Sequence, residues 1–431
     1  MTYEEAQEYV LKIPLFAKKL GTDNLNSILE MMGHPERSCP VIHIAGTNGK
    51  GSTCLFLASI LKENNKRVGI FTSPHLMRIN ERIRIGDEII SDDDFVSVCE
   101  EVITYVDKAE KQGIAHPSFF EFVFLMAALY FKKQQVDFAV FEAGMGGRLD
   151  ATNVVVPAVS IITSVGLDHM QYLGDTIEEI AGEKAGIIKP GIPVVYFDRK
   201  DAATDIIKDK CIKENAKLHT IEKKQCNLLD FTKKSIDFSF NSVYYKYDSL
   251  QIRRTALYQI ENAVLAIRAY ELLQENNYIT EEGCVAEAAI RTGLMNMIWH
   301  GRMEQIDEHI YVDGAHNVEA IEAFCNTLEV LFSDSNKILL FAVSKDKDYR
   351  NMIKSLGRIS FDEIIIVRYS NDRSAELDTV EDAFRQFSGS KITTFDDIKA
   401  GYEYGKAHVE NKVLFCVGSL YLVGDLLNIG V

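Results

Sequence analysis

From Val41 onward, apolar runs of strand length alternate with stretches of helical spacing. That alternation predicts an α/β fold, a mostly parallel sheet covered by helices. Strands are predicted over Val41–Ala45, Arg67–Phe71, Val136–Phe141, Ala158–Val165 and Pro193–Phe197, and helices over Phe95–Lys108 and Phe119–Lys132. The second helix is apolar nearly all round and should be deeply buried. Between about 215 and 256 the pattern shortens to alternating stretches, Ser235–Phe240 and Val243–Tyr247, which suggest antiparallel hairpins. Helices follow at Gln259–Glu275 and Glu281–Thr292, and then the irregular MNMIWHGRMEQI. A second strand–helix series starts at His309–Val312 and continues through Lys337–Val343, Glu363–Val367 and Val413–Val417. Two domains are expected, 1–296 and 297–431.

Composition narrows the partners. Of 431 residues, 47% are hydrophobic and 26% charged, a globular balance that supports a sizeable core. The net charge of −16 argues against nucleic acid or an anionic membrane bound through the overall field, so any anionic ligand needs local basic groups. Eight cysteines form no C-x-x-C pair or zinc spacing, as expected of reduced thiols in a cytoplasmic protein. The acidic, amphipathic MTYEEAQEYVLKIP lacks the basic-then-apolar order of a signal peptide, and no run of 18 apolar residues is present.

The chemistry begins at VIHIAGTNGKGSTCLFLASILKENN, where a strand runs through a glycine-rich turn into a helix. Glycines let backbone amides converge on an anion, and the helix N-terminus adds a positive dipole end. Gly46, Gly49, Lys50, Gly51 and Ser52 spell G-x-x-G-K-G-S rather than the common G-x-x-x-x-G-K-[ST]. The amides and Lys50 are read as holding the β- and γ-phosphates of a nucleotide, with Ser52 at the helix start.

Polar residues also cluster beyond other strand ends, where ligands bind in open α/β folds. Ser73 follows Phe71, Glu142 opens EAGMGGRLDATN, and Asp168-His169 follows SIITSVG. A hydroxyl, a carboxylate and an imidazole at one sheet edge suit a divalent ion beside a triphosphate, Mg²⁺ by its preference for few protein ligands. Plainer readings exist for each: Ser73 capping a turn, Glu142 paired with Arg148, His169 in an ordinary loop, Lys184 solvated on its helix. In the second domain Arg302 follows the linker and Asp313, His316 and Asn317 cluster in VDGAHN. Arginine there can neutralise transferring phosphate charge or simply pair with an aspartate.

Taken in order, GTNGKGS, TSPHL with NERI, EAGMGGRLDATN, SVGLDHMQYLG, GEKAGIIKPG, IENAVLAI, GRME and VDGAHN resemble the folylpolyglutamate synthases of the Mur-ligase superfamily, in their bacterial form. The resemblance runs from about Leu20 to the terminal VGSLYLVGDL; one departure is His300, where that family usually has proline. It implies a P-loop ATPase domain followed by a Rossmann-like domain, and an ATP-dependent ligase that adds L-glutamate to the γ-carboxylate of a reduced folate, with dihydropteroate as a further acceptor in many relatives. Also implied are phosphate binding by Thr47, Asn48, Gly49, Lys50, Gly51 and Ser52, and ATP contacts from Asn262, Arg302 and Asp313. Ser73, Glu142, His169 and a carbamylated Lys184 match the magnesium ligands, and His316 faces the reaction centre. Asn80, Arg82 and Asp150 match the folate side, and a monomer is expected. The rivals are a cell-wall peptide ligase of the same superfamily, against which TSPHL and GGRLDATN count, and a nucleotide-dependent switch, for which Ser344-Lys345-Asp346-Lys347-Asp348 is a weak guanine-reading element.

Overall fold

The computed structural model describes residues 1–14, 21–243, 245–253, 256–281, 283–369 and 373–430; Leu20, Tyr244 and Glu282 lie outside them. It divides into two compact units. The first comprises Met1–Asn227, Ser239–Leu250 and Ile260–Met297, and the second Leu228–Phe238, Gln251–Gln259 and Ile298–Val431. The segments 228–238 and 251–259, which the sequence reading left in the first domain, therefore belong with the second. Their packing gives the reason: Ala256 is part of the second unit's core, Tyr258 packs against it, and the Lys233 ammonium lies 4.7 Å from the Phe332 ring centroid.

The first unit is built on eight strands: β1 (Val41–Ala45), β2 (Val68–Phe71), β3 (Ile83–Ile85), β4 (Glu88–Ile89), β5 (Phe138–Glu142), β6 (Val159–Ile162), β7 (Val194–Asp198) and β8 (Leu218–Glu222). Their order is β4-β3-β2-β5-β1-β6-β7-β8. The pairs from β2 through β8 are parallel, and β3 and β4 extend the edge antiparallel. Central strand β1 is buried at all five positions, as a strand covered on both faces must be. On one face lies the helix Phe119–Lys133, where every residue from Phe122 to Phe131 is buried, its Phe124 and Phe131 packing with Phe141 of β5. This is the apolar helix read from the sequence. The predicted strand 158–165 stops at Ile162 because Ser164 and Gly166 leave the sheet to bond the neighbouring loop.

The region after 215 holds a three-stranded sheet, Cys226–Phe231, Ile236–Asn241 and Lys246–Ile252, with the middle segment central. In the second unit six strands run in the order Glu304–Asp307, Ile310–Asp313, Lys412–Val417, Asn336–Phe341, Glu363–Val367, Lys391–Phe395. All its pairs are parallel save the first, which is antiparallel. Its core includes Phe324 and Phe332 packed on Phe415, and Phe341 packed on Phe384. Among the described residues no helix is long and apolar enough to cross a membrane, and the eight cysteines are free thiols.

Candidate active site

The glycine-rich loop leaves β1 between two parallel neighbours, β5 and β6, so its flanks are the C-terminal ends of those strands. Gly49 caps the helix Lys50–Glu63 in the left-handed region, φ 86°. A side chain there would be strained, and its Cβ would stand 2.2 Å from Asn262 Oδ1. Asn262, 5% exposed on the helix Gln259–Glu275, is thereby set directly against the loop. The other side is braced by β6's exit: Thr47 N–H donates to the Ser164 carbonyl (2.8 Å), Asn48 N–H to Ser164 Oγ (2.9 Å), and Thr163 Oγ1 to the Asn48 carbonyl (2.6 Å). Lys50 Nζ curls back to the carbonyls of Gly46 (3.0 Å) and Thr47 (3.3 Å). The helix Lys50–Glu63 begins at this loop, and a helix N-terminus with its positive dipole end after a glycine-rich turn is the local architecture of an anion site. Thr163, Ser164 and Gly166 escaped the sequence reading, although they lie within the quoted SIITSVG segment; strand-exit position beside a phosphate loop was the available signal.

Glu142, the last residue of β5, is 3% exposed, and its Oε2 accepts the Ser73 amide at 3.0 Å. Two of the predicted magnesium residues are thus in contact. The alternative Glu142–Arg148 pair gives way to Arg148 with Glu183, 2.7 Å. Beyond Glu142 the chain packs on the end of the helix Ile177–Ala185: Arg148 N–H donates to the Glu183 carbonyl at 2.7 Å, and a Cβ on Gly147 would stand 2.9 Å from the Lys184 carbonyl. Lys184 itself is 2% exposed, which overturns the solvated reading. His169 stands at the exit of β6 with φ 52°, exposed, its amide held by Asp168 Oδ1 at 2.9 Å.

The proposed folate-side residues divide. Arg82 is buried, its Nε donating to His75 Nδ1 at 2.8 Å and its guanidinium 5.1 Å from the Phe119 ring centroid. Burial and that guanidinium hold His75 down at about 4. Asn80 is fully buried: its Oδ1 accepts from Tyr3 OH (2.6 Å) and its Nδ2 donates to the Ile90 carbonyl (3.0 Å) and Asp92 Oδ1 (3.1 Å). Asp150, also buried, accepts from Met145 N–H (2.9 Å), Thr152 N–H (3.0 Å) and Thr152 Oγ1 (2.6 Å). These bonds tie both residues to neighbouring segments, Asn80 to Tyr3 and Asp92 and Asp150 to Met145 and Thr152.

In the second unit Asp313 ends its strand 2% exposed. Its Oδ2 accepts from Tyr258 OH (2.9 Å) and Met303 N–H (2.8 Å), and its Oδ1 from Ala315 N–H (2.8 Å). Burial pushes the carboxyl up, opposed by Arg302 and these donors. Arg302 donates to the Gly301 carbonyl at 3.1 Å, on a turn with Gly301 and Met303 at positive φ. His316 Nδ1 lies 2.8 Å from the Gly314 carbonyl, and Asn317 caps the following helix through Ala320 N–H. Ser344, which the switch reading needs to face a base, is buried against Tyr369 OH at 2.6 Å.

A family model of the Mur ligase middle domain matches residues 44–270, and one of the Mur ligase glutamate ligase domain matches residues 301–420. A Bacillus subtilis dihydrofolate synthase/folylpolyglutamate synthase is 35% identical over 431 residues, covering 98% of each chain. The chain is a Mur ligase of the folylpolyglutamate synthase family. Among solved structures, this Mur ligase resembles a folylpolyglutamate synthase from Thermotoga maritima with TM-score 0.85 and 31% identity, over 99% of this chain and 96% of that one. It also resembles an Escherichia coli protein in complex with DHPP and ADP, TM-score 0.86 and 25% identity, over 100% and 97%.

Proposed function

We propose that this chain is an ATP-dependent ligase that adds L-glutamate to the γ-carboxylate of a reduced folate. The observation that carries the reading is the junction of β1, β5 and β6, where a glycine-rich phosphate loop gripped by Asn262 stands between the Glu142–Ser73 contact and the exit that leads to His169.

The chemistry follows from the poor electrophilicity of a carboxylate. The folate carboxylate oxygen attacks the γ-phosphorus of ATP, the bond to the β-phosphate oxygen breaks, and an acyl phosphate and ADP result. The amine of glutamate then attacks the acyl carbon, the amide forms, phosphate leaves and the amine gives up its proton. The amides of Gly49 to Ser52 and the Lys50 ammonium hold the phosphates, and Arg82 offsets charge on the folate side. Arg302 and Asp313 are assigned to ATP and His316 to the reaction centre.

The donor chemistry fits a magnesium ion. Among the described residues no three of His, Cys, Asp and Glu gather as a self-contained metal site; the Ser73 hydroxyl and the Glu142 carboxylate, on residues joined through the Ser73 amide, suit a hard ion that completes its shell with phosphate and water. Ser73, Glu142, His169 and a carbamate on Lys184 would hold it, and when bound it supplies charge neutralisation between the two anions. For Lys184, 2% exposed, conversion to a carbamate replaces a buried cation with an anionic ligand.

A second acceptor, dihydropteroate, is favoured by the double name of the Bacillus subtilis relative and by the DHPP-bound relative. The test is an assay of the purified chain with ATP, Mg²⁺ and glutamate against tetrahydrofolate and dihydropteroate, products identified by mass. One added glutamyl unit per ADP released is expected with each acceptor. ADP release that ignores glutamate and acceptor alike would refute the ligase reading.

A further inference from the structure

The helix Gln259–Glu275 places Asn262 against Gly49, yet little in its sequence fixes where it sits. Ala263, Val264, Leu265, Ala266, Ile267, Ala269, Leu272 and Leu273 are all buried, so apolar packing surrounds it on every side. A one-residue slip of such a helix advances every side chain about 1.5 Å and turns it about 100°, which would carry the Asn262 amide off the loop while burying similar apolar area. Against this background stands a buried ionic cluster. Arg268 NH1 bonds Glu271 Oε2 at 2.9 Å and Glu275 Oε1 at 2.7 Å, and Arg268 NH2 lies 3.0 Å from His219 Nδ1 on β8. Tyr247 OH donates to Glu271 Oε1 at 3.1 Å from the three-stranded sheet. Arg268 and Glu271 are each 2% exposed. On the same helix Tyr270 OH accepts from Asn64 Nδ2, the residue that caps the far end of the phosphate-loop helix.

We infer that the Arg268–Glu271 cluster, anchored on His219 and Tyr247, is a positioning device for the nucleotide site: it fixes the register of the helix so that Asn262 meets the phosphate loop. Arg268 and Glu271 lie six and nine residues beyond Asn262, which at about 100° per residue puts them on the side of the helix away from it. Directional bonds select one register where apolar contacts do not, the best-attested use of buried charge in helical packing. The inference rests on the reading of Gly49 to Ser52 as a nucleotide site.

The experiment measures binding of a non-hydrolysable ATP analogue to the full chain by calorimetry. Arg268→Ala alone leaves Glu271 buried and unpaired, and folding can fail; the paired change Arg268→Met with Glu271→Gln removes both charges at similar volume and keeps a cooperative unfolding transition. That double variant is expected to bind the analogue about tenfold more weakly, with the KM for the folate acceptor unchanged. Introduced into an Asn262→Ala background it should add less than about twofold, because the cluster acts through Asn262. Equal analogue binding by the folded double variant, or full additivity with Asn262→Ala, overturns the inference alone. A wild-type chain that binds no nucleotide overturns it together with the function on which it rests.

Discussion

At the scale of single residues, the account turns on two lysines and a histidine. Lys50 is half-buried and bonded to the Gly46 and Thr47 carbonyls of its own loop, so its loss should spare the fold. Lys50→Ala is expected to lower kcat by about 10²–10³, the usual cost of removing a charge-stabilising donor, while circular dichroism and Tm stay as in the wild type; near-normal turnover in the folded variant would remove it from the mechanism. Lys184 makes the opposite demand, because it is buried and proposed as an anion. Lys184→Ala should lose activity and regain part of it in acetate, whereas Lys184→Arg should stay inactive in acetate, since it keeps the cation. An intact mass without a carbamate, from active enzyme supplied with bicarbonate, would end that assignment. His219, like His75, gives stability a pH dependence. Burial and Arg268 hold it down at about 4, below the 6.5 of an exposed imidazole, so the folded chain binds this proton less readily than the unfolded one. Its contribution to stability is complete above about 6.5 and is lost as pH falls toward about 4. In His219→Gln, the fall of stability measured by urea unfolding across that window should be shallower by one proton; an unchanged slope would mean the imidazole is not held neutral.

At the scale of elements, one contact between helices is tight enough to decide a sign. A Cβ on Gly293 would stand 2.7 Å from the backbone of Ile60 in the phosphate-loop helix, and Ser59 Oγ bonds the Gly293 carbonyl at 2.8 Å. Alanine gains about 1 kcal/mol of helix propensity over glycine, but the obstacle is backbone rather than a movable side chain, and overpacking costs about 1–3 kcal/mol. Gly293→Ala should therefore lower the urea midpoint, and a rise would show that the helices part without cost. Elements were legible in the sequence where apolar periodicity was strong: Val41–Ala45, Gln259–Glu275 and Glu363–Val367 have the predicted bounds. The strands Ile83–Ile85, Glu88–Ile89, Leu218–Glu222, Glu304–Asp307 and Lys391–Phe395 were not foreseen, because short edge or near-edge strands alternate weakly or carry mostly polar residues. The site divides the same way. Lys50 and Glu142 were singled out by motif and strand-end position alone, whereas Asn80 and Asp150 entered only through the resemblance. Their bonds to Tyr3, Asp92, Thr152 and backbone amides join segments distant in sequence or in a loop, and no periodicity shows them.

At the scale of the whole molecule, a chain of net charge −16 is proposed to join two anions, a folate carboxylate and a triphosphate, with an amino acid. That is compatible with electrostatics only because the cationic groups are local, Lys50 on the loop and Arg82 beside His75, so position outweighs net charge. Segments Leu228–Phe238 and Gln251–Gln259 show that chain order alone did not predict which unit a residue serves; Tyr258, on Asp313, was invisible until packing placed it. The central claim is that an oxygen of the acceptor's γ-carboxylate attacks the γ-phosphorus of ATP and departs in the released phosphate, while the carboxylate carbon and its other oxygen remain in the amide. It is tested most directly with tetrahydrofolate carrying ¹⁸O in that carboxylate, ATP, Mg²⁺ and glutamate, by mass analysis of the inorganic phosphate. The account predicts one ¹⁸O atom in each phosphate released per amide formed. Unlabelled phosphate accompanying amide product would contradict it.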